Sequence, residues 1–292
     1  MLQKPRIQLL KSFTKNHICT EILRLDEIHP VISGNKWYKL KYFIADAIQQ
    51  GATEIASFGG AYSNHLVALA LACKLAGLCS TGFIRGEAGP NTSPTLEAAL
   101  EYGMKLFFLT REQYQDKEEI KNQYQATGRY FIDEGGYGTL GVQGAASILD
   151  EFDLSSYTHL VCSVGSGTMA AGLLSRLAPH QQLIGISSQK NNASLKNAVL
   201  QFCAPEKHGQ FILEEDFHFG GFAKHPPDLL EYMRALWERE SLPTDIVYTS
   251  KLCFAVEQMI TANRFDAGSK MLLIHSGGLQ GNLSLKKGIL PF

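Results

Sequence analysis

Short apolar runs alternate with helix-period stretches along almost the whole chain, and that alternation constrains the fold more than any other feature of the sequence. It is the pattern of α/β architecture with parallel strands, in which each strand is followed by a covering helix. Ile18–Leu25 reads as an early strand. Trp37–Gln50 then places Trp37, Leu40, Phe43, Ile44, Ala47 and Ile48 at helical spacing and stops at Gly51, a C-cap residue. Four more strands are expected at Thr53–Phe58, Ser80–Ile84, Lys105–Leu109 and Tyr130–Asp133. Between them lie helices at Ser63–Ala76, at Pro94–Tyr102 with Ser93 as N-cap, and at Glu112–Ala126, where Thr110 and Gln113 form a capping box. A second array starts at His159–Val164, continues through Leu183–Ser188 and helices at Pro227–Glu240 and Ser250–Ala262, and closes on Met271–His275. The reading is two α/β domains facing each other, with ligands expected beyond strand C-termini.

Composition narrows the function classes. A formal net charge of −1 gives no reason to expect a nucleic-acid or membrane-surface partner. Lys4, Pro5, Arg6 and Lys11 interrupt the N-terminus, so it lacks the apolar core of a signal peptide, and no run approaches a membrane span. Cys19, Cys73, Cys79, Cys162, Cys203 and Cys253 are scattered, without a CxxC pair or metal-ligand spacing, and read as buried free thiols. A soluble cytoplasmic protein without a metal is the expectation.

The strand ending at Val164 runs into Gly165-Ser166-Gly167-Thr168 and then an apolar helix. Such a turn aims backbone N–H groups and a helix N-terminus at one point, which suits an anion. Gly165-x-Gly167-x-x-Ala170 also meets the loose dinucleotide fingerprint, but that reading needs an acid about 20 residues on, closing the next strand. Here that strand ends Ile186-Ser187-Ser188-Gln189-Lys190, and the next acid is Glu206. A purely structural turn stays open; a compact phosphomonoester is favoured.

Ser33-Gly34-Asn35-Lys36 joins a strand to an amphipathic helix. A lysine at such a junction is ordinarily a solvated cap. Next to Trp37, however, an apolar surface lowers an amine's pKa and makes it a better nucleophile for an aldehyde. Gly34-Asn35-Lys36-x-x-Lys39-Leu40 and Phe58-Gly59-Gly60-Ala61-Tyr62-Ser63-Asn64-His65 resemble the pyridoxal 5′-phosphate (PLP) family of D-cysteine desulfhydrase and 1-aminocyclopropane-1-carboxylate (ACC) deaminase, of the tryptophan synthase β-subunit fold. Arg24-Leu-Asp26-Glu-Ile-His29-Pro30, Glu134-Gly135-Gly136, the Gly165–Thr168 turn, Asp245-Ile-Val-Tyr248-Thr249 and His275-Ser-Gly277-Gly278 extend the resemblance in order over nearly the whole chain.

That resemblance implies two open parallel-sheet, three-layer domains with the cofactor in the cleft between them. The larger, PLP-binding domain is residues 1–42 plus 145–292, and residues 43–144 form a smaller insert. It implies that Lys36 holds PLP as a Schiff base and moves protons once released. Asn64 would bond the cofactor's phenolic oxygen, and Gly165, Ser166, Gly167 and Thr168 would cradle its phosphate. Ser63 and His65, with the Asn64 backbone, would bind the substrate carboxylate; Tyr248 would face the substrate, and Thr249 the pyridine nitrogen. Ser63 as a plain N-cap, Asn64 and His65 as first-turn polar residues, and Tyr248 and Tyr137 as packing aromatics stay open beside these roles. A homodimer acting on a small amino acid is also implied.

Three departures shape the expected reaction. ACC deaminases carry glutamate where this chain has Thr249, and a tyrosine in the segment matching Phe219-Gly-Gly221-Phe-Ala-Lys224, while Tyr38 stands where arginine is common. A hydroxyl makes a shallower electron sink than a carboxylate, which favours expulsion of a β leaving group. The expectation is β-elimination from a D-amino acid, D-cysteine first. ACC deamination, racemisation or a catalytically decayed PLP-binding protein are the alternatives.

Overall fold

The computed structural model describes residues 2–15, 17–89 and 92–292. In chain order it contains β1 (Ile7–Leu9), β2 (Cys19–Arg24), α1 (Asn35–Gln49), β3 (Glu54–Gly59), α2 (Asn64–Ala76), β4 (Cys79–Arg85), α3 (Pro94–Glu101), β5 (Met104–Leu109), α4 (Lys117–Gln123) and β6 (Arg129–Ile132). There follow α5 (Thr139–Ala146), β7 (His159–Val164), α6 (Thr168–Arg176), β8 (Gln182–Ser187), α7 (Leu195–Leu200), β9 (Phe211–Glu214), α8 (Pro227–Glu240), α9 (Thr249–Thr261) and β10 (Lys270–His275). The backbone divides into two compact units, Met1–Asn35 with Ala145–Phe292, and Lys36–Gly144. The division falls one residue into α1, so 36–42 group with the smaller unit.

The larger unit holds a sheet in the order β1-β2-β10-β7-β8-β9, parallel throughout except for β1. Its inner strands β10, β7 and β8 are buried on both faces, as parallel strands covered by helices must be. Val161, Ile184 and Leu273 pack with Leu236 of α8 and Val256, Met259 and Ile260 of α9. The smaller unit holds a wholly parallel sheet in the order β5-β4-β3-β6. Aromatic rings fill its core, with Phe58 and Phe83 stacked at 5.5 Å and Tyr114 and Phe131 against Phe58.

Local chemistry sets the helix ends. Ser63 caps α2 by accepting from Leu66 N at 3.3 Å, and Gly77 closes the helix in the left-handed region. Ser93 and Pro94 start α3 as their residue types dictate. The Glu112–Ala126 expectation needs correction. The reciprocal Thr110–Gln113 bonds form at 2.9 and 3.2 Å, but they close only a 3-10 turn over Gln113–Gln115. Asp116 then caps a separate helix, α4, by accepting from Glu119 N. Two strong cap residues so close together favour two short elements over one long one.

The cysteine expectation is also corrected in part. None of the six lies in a disulfide, but only Cys73, Cys162 and Cys253 are buried, while Cys19 and Cys203 are half-buried and Cys79 is exposed. Among the described residues no helix is long and apolar enough to cross a membrane.

Each sheet reverses its winding direction once. In the larger unit the reversal lies between β7 and β10, and in the smaller between β3 and β6. Open parallel sheets bind ligands just beyond strand C-termini at such points. The chain segments there are Gly165–Thr168 and Ser276–Gly278 in one unit, and Gly60–His65 and Asp133–Gly136 in the other.

Candidate active site

In the larger unit β7 delivers Val164 directly into the glycine turn. Gly167 is the N-cap of α6 at φ +84°, and a Cβ there would stand 3.1 Å from the Ala198 carbonyl. A Cβ on Gly165 would stand 3.1 Å from Tyr248 Oη. Gly167 is required by its backbone conformation, and at both positions a side chain would crowd its neighbour. Ser166 Oγ and Thr168 Oγ1 lie 3.1 Å apart. Gln189 Nε2 braces the turn by donating to Gly165 O at 3.1 Å, and Asn192 in turn donates to Gln189 Oε1. At the place where a dinucleotide site needs an acid, this chain carries an amide that holds the turn. Backbone N–H groups, two hydroxyls and a helix N-terminus suit a phosphomonoester dianion.

Tyr248 and Thr249 enter α9 around one buried carboxylate. Asp245 Oδ2 accepts from Val247 N and Tyr248 N, both at 2.9 Å, and Oδ1 accepts from Thr249 N at 2.8 Å. Thr249 Oγ1 donates to Asp245 Oδ1 at 2.5 Å and accepts from Asp245 N at 2.8 Å. Thr249 has one hydroxyl hydrogen, and it points at Asp245. Ser163 Oγ donates to Tyr248 O at 3.0 Å, fixing this segment to β7.

The same unit positions the residue before Lys36. Gly34 has φ +64°, and a Cβ there would overlap Ser276 O at 1.8 Å. A Cβ on Gly277 would stand 2.9 Å from Gly34 Cα. Asn35 N donates to Ser276 O at 3.1 Å, and its amide reaches Met169 Sδ at 3.3 Å. The glycines of the His275–Gly278 motif thus serve a backbone-to-backbone contact. The Arg24–Pro30 motif is likewise structural. Arg24 grips Asp26 in a buried bidentate pair at 2.9 and 2.7 Å, and His29 Nδ1 accepts from Val31 N and Ile32 N.

In the smaller unit Lys36 lies half-buried in the first turn of α1. Ser63, Asn64 and His65 follow the C-terminal end of β3 at the start of α2. A capping hydroxyl accepts through a lone pair, so the Ser63 hydrogen can still donate to a ligand. His65 is buried, with Nε2 2.8 Å from Ser57 Oγ, while Ser57 Oγ donates to Ile132 O at 2.7 Å. Burial first, then the charges of Lys36 and Lys39, push the His65 imidazole well below its ordinary 6.5. Lys39 is buried and donates to Gly135 O at 3.2 Å.

Two of the departure residues now have places. Tyr38 is buried, with Lys41 Nζ 5.1 Å from its ring centre, and works as a core aromatic. Lys224 is exposed on a turn, and Tyr137 is half-buried just after Gly136. Sequence reasoning gave no role to Gln189, Ser57 or Asp245. Asp245 stands in the Asp245–Thr249 motif, and its bonds to Val247 N and Tyr248 N are of the local kind an aspartate makes to the backbone just after it. Ser57 and Gln189 act through contacts between neighbouring strands and carried no local signal.

The chain is 29% identical to a putative 1-aminocyclopropane-1-carboxylate deaminase of Thermotoga maritima, over 96% of this chain and 95% of that protein. It is 26% identical to a D-cysteine desulfhydrase of Klebsiella pneumoniae, over 94% of each. The crystal structure of an ACC deaminase homologue shares the fold with a TM-score of 0.80 and 24% identity, covering 96% of this chain and 91% of the other. The model of the pyridoxal-phosphate dependent enzyme family matches residues 4–277, and the chain belongs to that family.

Proposed function

We propose that this PLP-dependent enzyme catalyses β-elimination from a small D-amino acid, D-cysteine first, which with water gives sulfide, ammonia and pyruvate. The observation that carries the choice is Thr249, a neutral hydroxyl where ACC deaminases place a carboxylate. In this structure that hydroxyl gives its hydrogen to Asp245; to meet an unprotonated pyridine nitrogen it would turn the hydrogen to the ring, the carboxylate keeping Val247 N, Tyr248 N and Thr249 N. When bound, the cofactor supplies an electron sink for the bond broken at the substrate Cα. A shallower sink suits a substrate whose β group leaves readily, as thiolate does.

The chain's own residues take these roles. Lys36 holds the cofactor aldehyde and, once displaced, carries the proton at Nζ. Gly165, Ser166, Gly167 and Thr168 bind the phosphate, and Asn64 bonds the phenolic oxygen. The Ser63 hydroxyl and the backbone N–H groups of Asn64 and His65 receive the substrate carboxylate at the positive end of α2. The His65 ring does not share that task, because its one hydrogen points at Ser57. Tyr248 faces the substrate.

ACC deamination is the second reading, favoured by the name of the Thermotoga maritima relative. Incubation of the purified enzyme with D-cysteine, L-cysteine and ACC separates the two. Sulfide from D-cysteine alone supports the proposal. 2-Oxobutyrate from ACC without sulfide from D-cysteine overturns it.

A further inference from the structure

The Ser57–His65 contact has only one consistent arrangement of hydrogens. Ser57 has a single hydroxyl hydrogen, and Ile132 O, a carbonyl 2.7 Å away, can only accept it. The 2.8 Å contact to His65 Nε2 therefore requires the imidazole to donate. That makes His65 the Nε2–H tautomer and leaves Nδ1 as a bare lone pair. Nδ1 is buried and has no hydrogen-bond partner among the described residues.

A buried acceptor left unmatched costs about 1–3 kcal/mol, and such atoms call for an explanation. Protonation is not the explanation, because burial and two nearby lysines hold the ring neutral. Of those cations Lys36 acts on the ring more strongly than Lys39. Gly136 lies over the other edge of the ring, where a Cβ would stand 3.8 Å from His65 Cε1.

We propose that Ser57 is a positioning residue that locks His65 as the Nε2–H tautomer, so that the buried Nδ1 accepts an N–H of Lys36. Tethering one hydrogen of the amine turns its lone pair in a fixed direction. A lysine that must first attack an aldehyde and later exchange a proton at a carbon gains from that fixed direction in both steps. The inference rests on Lys36 as the cofactor-holding residue, and it is independent of which amino acid is the substrate.

The test uses the full-length protein labelled with 15N in its histidine rings. His65→Gln identifies the His65 signals by their loss. In the unmutated protein His65 is expected to show a protonated Nε2 and a bare Nδ1, unchanged from pH 8 down to pH 5.5. Ser57→Ala is expected to move the ring to the Nδ1–H form or to a tautomer mixture, and Ser57→Thr, which keeps the hydroxyl, to restore it. A protonated Nδ1 in the unmutated protein, or a tautomer unmoved by Ser57→Ala, overturns the lock.

The second arm strips the cofactor and follows its recapture by visible absorption, without any substrate. Ser57→Ala is expected to slow recapture tenfold or more, with Ser57→Thr near the unmutated rate. Unaltered recapture despite a changed tautomer overturns the tie to Lys36. Near-UV circular dichroism of both Ser57 variants reports whether the fold is retained. Failure of D-cysteine turnover with both arms as expected would count against the proposed substrate alone.

Discussion

Lys251→Met isolates the energetics of one buried ammonium. Lys251 is fully buried, and its Nζ donates to His218 O at 2.9 Å and Gly221 O at 2.8 Å. Those carbonyls belong to a turn in which Phe219, Gly220, Gly221 and Ala223 all have positive φ. Burial lowers the ammonium from its ordinary 10.5 to about 8, against the pull of the Asp245 charge. The folded protein therefore releases this proton near pH 8, whereas the unfolded chain keeps it to about 10.5. Between those values the unfolded state binds more protons, so stability rises with pH, by about 1.4 kcal/mol per unit. From pH 7.5 to 9.5 the gain from this residue is about 2 kcal/mol.

Methionine keeps the length of the side chain and removes the charge. The two carbonyls each retain one backbone donor, Gly221 N at 3.0 Å and Lys224 N at 3.2 Å, so the variant remains foldable. Urea unfolding of both proteins at the two pH values cancels every other titrating group. The expected result is a stability difference that shifts by about 2 kcal/mol toward the unmutated protein at the higher pH. Parallel behaviour at both pH values would refute the reasoning, because it would mean that Lys251 titrates alike in the folded and unfolded chains.

Other outcomes follow from the same contacts. Lys36→Ala is expected to abolish the visible absorption of the cofactor after dialysis, and an unchanged spectrum would remove Lys36 from its role. Gly34→Ala adds a Cβ that overlaps Ser276 O at φ +64°, and is expected to cost more than about 3 kcal/mol or prevent folding. An unaltered thermal midpoint would show that the Gly34–Ser276 approach is not needed. Thr249→Val removes the hydrogen bond to the Asp245 carboxylate and leaves Asp245 N without its acceptor. A loss of about 2–4 kcal/mol in urea unfolding is expected. A loss under about 1 kcal/mol would mean that Asp245 is held without it.

What the sequence made legible was local. Strands β2 to β8 and β10 carry their own apolar runs, and Ser63 and Ser93 announce α2 and α3 from one position each. Shorter elements gave no such signal. β1 has three residues, β9 has four, and α5 lies in a glycine-rich stretch. Their stability comes from neighbours: β1 from its antiparallel register with β2, β9 from β8. The site motifs were legible because each occupies one short segment. The placement of four of them follows from strand order: Phe58–His65, Glu134–Gly136, Gly165–Thr168 and His275–Gly278 each lie at or just beyond the C-terminal end of a strand beside their own sheet's reversal.

The Ser57–His65 pair shows why part of the site stayed hidden. Ser57 reads in sequence as one small residue within an apolar strand, and nothing nearby marks it as polar machinery. Its meaning depends on the parallel register that sets Ser57 opposite Ile132, 75 residues away in the chain. That register delivers a carbonyl to take the hydroxyl hydrogen, and the consequence passes through His65 to its far nitrogen. A substitution with the right size but no hydroxyl would keep the strand, the sheet and every recognisable motif. It would alter only which nitrogen of one imidazole carries a hydrogen. Motif reading therefore finds the residues that touch a ligand and passes over those that set their protonation, because the latter act through pairings that the chain forms only when folded.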